Sequence, residues 1–320
     1  MIQAFQGKIG IIGAGALGAF YGARLFRAGH DVYFLMRRDY EAVRERGLVV
    51  RSVDGDFEIK PPVYPSVEAL GVCDLVIIGL KSTDNGALPS LLGPTMGPGT
   101  LVLTMQNGLG NEEAVVQALG CAEGASQRVL GGIAFLCSNR ISPGVIDHTA
   151  HGWVHLAELV GPAQSRTHSI AQLFKDAGIE CQVFDSLKEI RWGKLVWNIP
   201  FNGLGVAGGA AHTAAILADE TLDRTARGLM EEVLAAARAD GVSLPTDLID
   251  RMMESTRSMG NYRTSMQVDY EEGRRLEVEA ILGEPYRRAK AAGIAVPRLE
   301  MLYGIVRRLD TLTGAKLPPK

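Results

Sequence analysis

The chain contains no CxxC pair, no HExxH and no apolar run long enough to span a bilayer. Its four cysteines (Cys73, Cys121, Cys137, Cys181) lie far apart, whereas a structural zinc needs clustered ligands. They read as free thiols of a reducing compartment. The apolar stretch over residues 9–20 is short and broken by four glycines, so it predicts neither a membrane span nor a secretory leader. A cytoplasmic location is therefore expected. Basic residues are not in excess: 33 Lys and Arg stand against 36 Asp and Glu, for a net charge of -3. That balance argues against a nucleic-acid-binding surface. His148, His151 and His155 fall in a strand-rich stretch and are expected at turns and exposed faces, without a metal. What the chain has in excess is glycine, 38 among 320 residues. Such an excess suggests tight turns, or backbone brought close to a ligand.

A length of 320 residues suits two domains of roughly 150 residues each. The first part alternates strand and helix. Residues 8–12 form a β-rich run, residues 16–28 a helical stretch ended by Gly29, and residues 31–35 the next strand. Asp54-Gly55 between residues 48–51 and 57–59 predicts a hairpin. Residues 75–80 and 100–104 are apolar without alternation, as in parallel strands covered on both faces. Further strands are expected at 129–136, 145–148, 154–156 and 181–184. After Asp185 helical periodicity takes over: Leu222, Ala226, Leu229, Met230, Val233, Leu234 and Ala237 recur at three and four. The ending Ala237-x-x-x-Gly241-Val-x-Leu-Pro245 recurs from Ala289 to Pro297, which predicts the same helix-stop chemistry twice. The expected architecture is an α/β doubly wound, mostly parallel sheet over residues 1–185, then an all-α domain over residues 186–320.

Gly13-Ala14-Gly15-Ala16-Leu17-Gly18 matches GxGxxG between a predicted strand and a predicted helix. In that setting the glycines permit a tight turn, close approach of a pyrophosphate, and close helix–strand packing. The first domain is thus expected to be Rossmann-type and to bind a dinucleotide at its helix N-terminus. The second strand runs into Arg37-Arg38 where an NAD enzyme usually places an acid. Arginine there suits a 2′-phosphate, so NADP is the expected cofactor, with a solvated basic pair as the competing reading.

In the helical part, Lys194, Asn198 and Asn202 fall at i, i+4 and i+8, a spacing that places them on one helical face. Such a stripe either meets a polar ligand or faces water. Ser265 and Glu277, twelve residues apart, are expected within one helix or a helix pair. They fit a binding site and a solvated face equally well.

Together these segments resemble the ketopantoate reductases. The resemblance covers nearly the whole chain. It rests on the glycine motif, on Leu80-Lys81, on Gln106-Asn107-Gly108, on Trp192-x-Lys194-x-x-x-Asn198-x-x-x-Asn202, and on Ser265-Met266-x-x-Asp269 with Gly273-Arg274 and Glu277. It implies NADPH-dependent reduction of a 2-keto acid, ketopantoate to pantoate in pantothenate biosynthesis, at a cleft between two domains. By that likeness Lys194 is the proton donor, and Glu277 acts in catalysis and near the nicotinamide ribose. Asn198, Asn202 and Ser265 hold substrate. Arg37 and Lys81 meet the adenosine end of the cofactor, and Asn107 the ribose and substrate region. The chain departs from the pattern at Pro200, at Tyr262 (with Asn261 one place off), and in residues 203–211, where His212 could stand in for an asparagine. The expected partner is a small 2-keto acid, with a homodimer as the candidate assembly and neither nucleic acid nor membrane. A hydroxy-acid or opine dehydrogenase and a non-catalytic NADP-sensing protein are the alternatives.

Overall fold

The computed structural model describes residues 3–120 and 123–314, so Cys121 lies outside the described residues. Ten strands precede the helical part among those residues: β1 (Ile9–Ile12), β2 (Val32–Leu35), β3 (Leu48–Ser52), β4 (Phe57–Ile59), β5 (Val63–Tyr64), β6 (Cys73–Ile78), β7 (Met96–Thr104), β8 (Val129–Ser142), β9 (Val145–Glu158) and β10 (Cys181–Val183). They form one sheet in the order β4-β3-β9-β8-β7-β6-β1-β2-β5, with β10 pairing β9. From β5 through β2, β1, β6 and β7 to β8 every pairing is parallel. This is the doubly wound order, whose direction reverses between β1 and β6, the place where such sheets bind ligands. The apolar runs have both faces covered, as their lack of alternation predicts. Ile9, Ile11, Leu75 and Ile77 enter one core, while Ile12, Val76 and Ile78 enter another.

Two strand expectations needed revision. Residues 145–148 and 154–156 belong to one strand, β9, running antiparallel to β8. Phe135 pairs Trp153 and Leu136 pairs His151, so Gly152 is an extra bulge residue. His151 (φ 66) and Gly152 (φ 128) bend the strand there and interrupt its alternation. His148 is also not at an exposed turn: it is 1% exposed on β9. Its Nδ1 lies 2.8 Å from Ser52 Oγ and its Nε2 2.9 Å from the His151 carbonyl, so Nε2 carries the donated proton. The β3–β4 hairpin forms as expected, but at the far edge of the sheet, because β3 pairs parallel with β9.

Burial pushes the Cys73 thiol up to about 11 and the Cys181 thiol to about 12; both are free, as is half-buried Cys137. Among the described residues, no cluster of three metal-ligating side chains occurs and no helix is long and apolar enough to cross a membrane.

The chain forms two compact units. One holds residues up to Gln106 together with Asn111–Leu187; the other holds Asn107–Gly110 and residues from Lys188 onward. All regular elements from Leu187–Ala207 onward are helical. The repeated endings form the same closure: Val242 N–H reaches the Ala237 carbonyl and Ile294 N–H the Ala289 carbonyl, each at 2.9 Å. Trp192, Val196, Leu229, Met230 and Leu299 are among the residues of this unit's core.

Candidate active site

In the first unit, the turn from β1 to the helix Ala16–Arg27 is shaped by backbone proximity. Gly13 has φ +90, and a Cβ there would lie 2.3 Å from the Leu80 nitrogen. A Cβ on Gly18 would lie 2.3 Å from the Gly13 carbonyl oxygen. Glycine is therefore required at both positions to close the turn against the end of β6. At Gly15 a Cβ would meet nothing within 4 Å, so the backbone there is open to a ligand. Ala14 completes the turn, and Ala16 and Leu17 open the helix. The helix has no side-chain cap and no acidic residue in its first turn, which leaves its amide donors available to an anion. Arg37 and Arg38 follow β2, both exposed and without an ion pair among the described residues. The nearby acid, Asp39, is engaged in the fold: it accepts Arg140 Nη1 at 2.6 Å and Gly144 N–H at 3.1 Å. Lys81 follows β6, on the other side of the point where the strand order reverses. These residues fit a dinucleotide, and the unpaired guanidinium groups fit one with an extra phosphate.

In the second unit, Lys194, Asn198 and Asn202 share the helix Leu187–Ala207, which continues unbroken through Pro200. Lys194 is half-buried, and its Nζ donates to Asn107 Oδ1 at 2.8 Å. Asn107 is distant in sequence but belongs to this unit through the segment Asn107–Gly110. Asn198 is 5% exposed, and its amide makes no hydrogen bond to another described residue. Asn202 is different. It is 1% exposed, and its Oδ1 accepts the Met266 N–H at 3.0 Å, pinning the start of the helix Ser265–Glu271. Its acceptor is spent on the fold, where it positions Ser265, an exposed residue in that helix's first turn.

Ser265 opens the helix Ser265–Glu271, whereas Glu277 lies in the connection just before the next helical segment, so the two do not share one helix. The chain turns between them at Gly273 (φ +69), where Arg274 Nε donates to buried Asp269 at 2.8 Å. Glu277 is buried just before the next segment, where its carbonyl accepts Ile281 N–H. The motif residues Asp269, Gly273 and Arg274 thus shape the connection that delivers Glu277.

One support, Asp240, had no motif signal. Trp192, fully buried two residues before Lys194, donates its indole N–H to Asp240 Oδ2 at 2.8 Å. Lys188 and Arg288 also donate to this carboxylate, at 3.0 and 3.3 Å. Burial opposes ionisation of Asp240, but the Trp192 and Lys188 bonds and the nearby cations outweigh it and hold the carboxyl below its usual range. A lowered carboxyl pKa stabilises the fold above the unfolded value and loses that contribution as pH falls through the folded one. Asp240→Asn should therefore lower Tm near neutrality and flatten its fall between about pH 5 and pH 3. Thermal melts over that range check this; an unchanged acid limb would refute it.

Residues 9–161 match the family model "Ketopantoate reductase PanE/ApbA", and residues 186–310 match "Ketopantoate reductase PanE/ApbA C terminal". The chain is 41% identical to a 2-dehydropantoate 2-reductase of Nostoc sp., over 95% of each chain. The chain belongs to the ketopantoate reductase family. Among solved structures, 2-dehydropantoate 2-reductase from Geobacter metallireducens GS-15 superposes with a TM-score of 0.90 at 44% identity, covering 94% of this chain and 99% of that one. The Methylococcus capsulatus enzyme gives 0.88 at 34% identity, covering 97% and 99%. Within this ketopantoate reductase family member, the structure shows where three of the departing residues lie. Pro200 leaves the helix intact. His212 caps the helix Thr213–Ala218, its Nδ1 accepting Ala215 N–H at 3.1 Å, and Asn261 is exposed.

Proposed function

We propose that this chain is an NADPH-dependent 2-keto acid reductase that converts ketopantoate to pantoate in pantothenate biosynthesis. The observation that carries this reading is an oriented ammonium beside an unspent amide: Lys194 Nζ bonded to Asn107 Oδ1 at 2.8 Å, with Asn198 one turn along the same helix. NADPH, when bound, supplies the hydride to the keto carbon. The turn from Gly13 to Gly18 would hold its pyrophosphate, Arg37 its 2′-phosphate and Lys81 the adenosine end.

The protein's part is to place charge and a proton. As the carbonyl is reduced, negative charge grows on its oxygen, and a positioned ammonium stabilises that charge and then protonates it. Lysine is ordinarily protonated at neutral pH. One Lys194 N–H is committed to Asn107, which orients the ammonium group. Asn198 and Ser265 would hold the substrate, with Asn202 setting the position of Ser265. Glu277 would accept from a substrate hydroxyl and from the nicotinamide ribose, which Asn107 would also meet. We place the enzyme in the cytoplasm, where its free thiols stay reduced, and take a homodimer as the assembly to test by sedimentation.

The deciding experiment is NADPH oxidation with a panel of 2-keto acids, with ketopantoate expected to be fastest. A faster rate with another keto acid would reassign the substrate. Tight NADPH binding with no turnover would leave a nucleotide sensor. Arg37→Ala should weaken NADPH by about 1.5–3 kcal/mol, the scale of hydrogen bonds to a charged group, and barely affect NADH. Fluorescence titration of both cofactors checks this; equal affinities in the unmodified protein would refute the choice of NADP.

A further inference from the structure

Asn107 reaches Lys194 because four residues leave the sheet unit and dock on a helix of the other unit. The departure is braced on the sheet side, where Asn85 links its two flanks. Gln106 Nε2 donates to Asn85 Oδ1 at 2.7 Å, and Asn85 Nδ2 donates to Asn111 Oδ1 at 3.0 Å. At the tip, Leu109 is 5% exposed within the helical core, and its N–H donates to the Ala280 carbonyl at 2.9 Å.

That carbonyl should not be available in an ordinary helix, since the N–H four residues later would take it. Here the helix widens into a π-turn over Glu279–Gly283, and the Glu284 N–H goes to the Glu279 carbonyl instead. The next donor in line would be residue 285, which is proline and has no N–H. Ala280 is left with a carbonyl that no later residue of its own helix can satisfy, and Leu109 takes it. The fit is close: Gly108 has φ +89, and a Cβ there would lie 2.3 Å from the Ala280 oxygen.

We propose that the π-turn closed by Pro285 is a positioning element for catalysis, presenting the Ala280 carbonyl so that Gly108 and Leu109 dock and Asn107 is held against Lys194. Gly108 and Pro285 are positioning residues, acting through Asn107. The π-turn begins two residues after Glu277, so one irregularity places residues from two distant segments of the proposed site. This inference rests on the functional reading of Lys194 and Asn107.

A double-mutant cycle tests it. Gly108→Ala and Pro285→Ala are each made in the native enzyme and in Asn107→Ala, and kcat for ketopantoate is measured at saturating NADPH. Displacing a positioned group by about 1 Å costs up to about 100-fold, so Gly108→Ala should lower kcat by about 10- to 100-fold. Pro285→Ala adds a competing N–H without a clash, and should lower kcat by a smaller factor while folding normally. In Asn107→Ala, already slow, each should add less than about twofold, because the group they position is gone. Effects that multiply undiminished in both backgrounds would overturn the proposal, as would lower Tm with unchanged kcat in both variants. Normal kcat in Asn107→Ala would also end it, while a loss in Lys194→Ala would leave the functional reading standing. Normal kcat in both Asn107→Ala and Lys194→Ala would bring that reading down as well.

Discussion

Lys194→Ala should lower kcat for keto acid reduction by about 10²–10⁴, the cost of losing a positioned proton donor and oxyanion partner. The side chain is half-buried and already oriented by Asn107 at 2.8 Å, so little rearrangement is needed when charge develops on the substrate oxygen. Its contribution is largest in the transition state, so KM should move less than kcat. NADPH affinity should be nearly unchanged, because the proposed phosphate contacts come from residues of the sheet unit. Asn198→Ala should show the opposite split, raising KM more than it lowers kcat, since holding substrate serves both states. Steady-state kinetics with a separate NADPH titration checks both. A solvated lysine would leave kcat within about twofold, the scale of an unimportant surface group.

Gly13→Ala should damage both the fold and cofactor binding. An L-residue at φ +90 costs about 1–3 kcal/mol in backbone strain. The added Cβ would also meet the Leu80 nitrogen and the Gly79 carbonyl carbon at 2.3 and 2.6 Å, and backbone cannot swing aside as a side chain can. Overpacking of this kind costs typically about 1–3 kcal/mol more. A Tm drop on the order of 10 °C is expected, with NADPH binding lost over the accessible range. Gly15→Ala is the informative contrast. Its φ is -77, and its Cβ would meet no protein atom, so stability should hold while NADPH affinity falls. If Gly15→Ala binds NADPH normally, the turn does not hold the pyrophosphate; if Gly13→Ala melts normally, the steric account fails.

Much of the local structure around the candidate site was legible because its rules are local. A helix repeats every 3.6 residues, so the face shared by Lys194, Asn198 and Asn202 can be read from spacing alone. The same spacing could not separate Asn198 from Asn202. Both are amides on an apolar helix, and only the Met266 N–H, reached through the packing of a later helix, commits Asn202 to the fold. Asp240 was illegible for a similar reason. It reads as an ordinary helix-end acid, and its bond to Trp192 depends on how two helices cross.

By itself, the sequence determined the strand–turn–helix at Gly13, the two-sided burial of the parallel strands, the β3–β4 hairpin and the all-helical second half. Each follows from side-chain size, periodicity and backbone freedom over a dozen residues or fewer. Only the tertiary structure decided that the hairpin crosses to the far edge, that β9 is one strand with a bulge, and that Asn107 joins the helical unit. Asn107 and Lys194 are separated by 87 positions. Bringing them together takes a carbonyl freed by a π-turn and proline at residues 279–285, and no local pattern encodes which loop that carbonyl will meet.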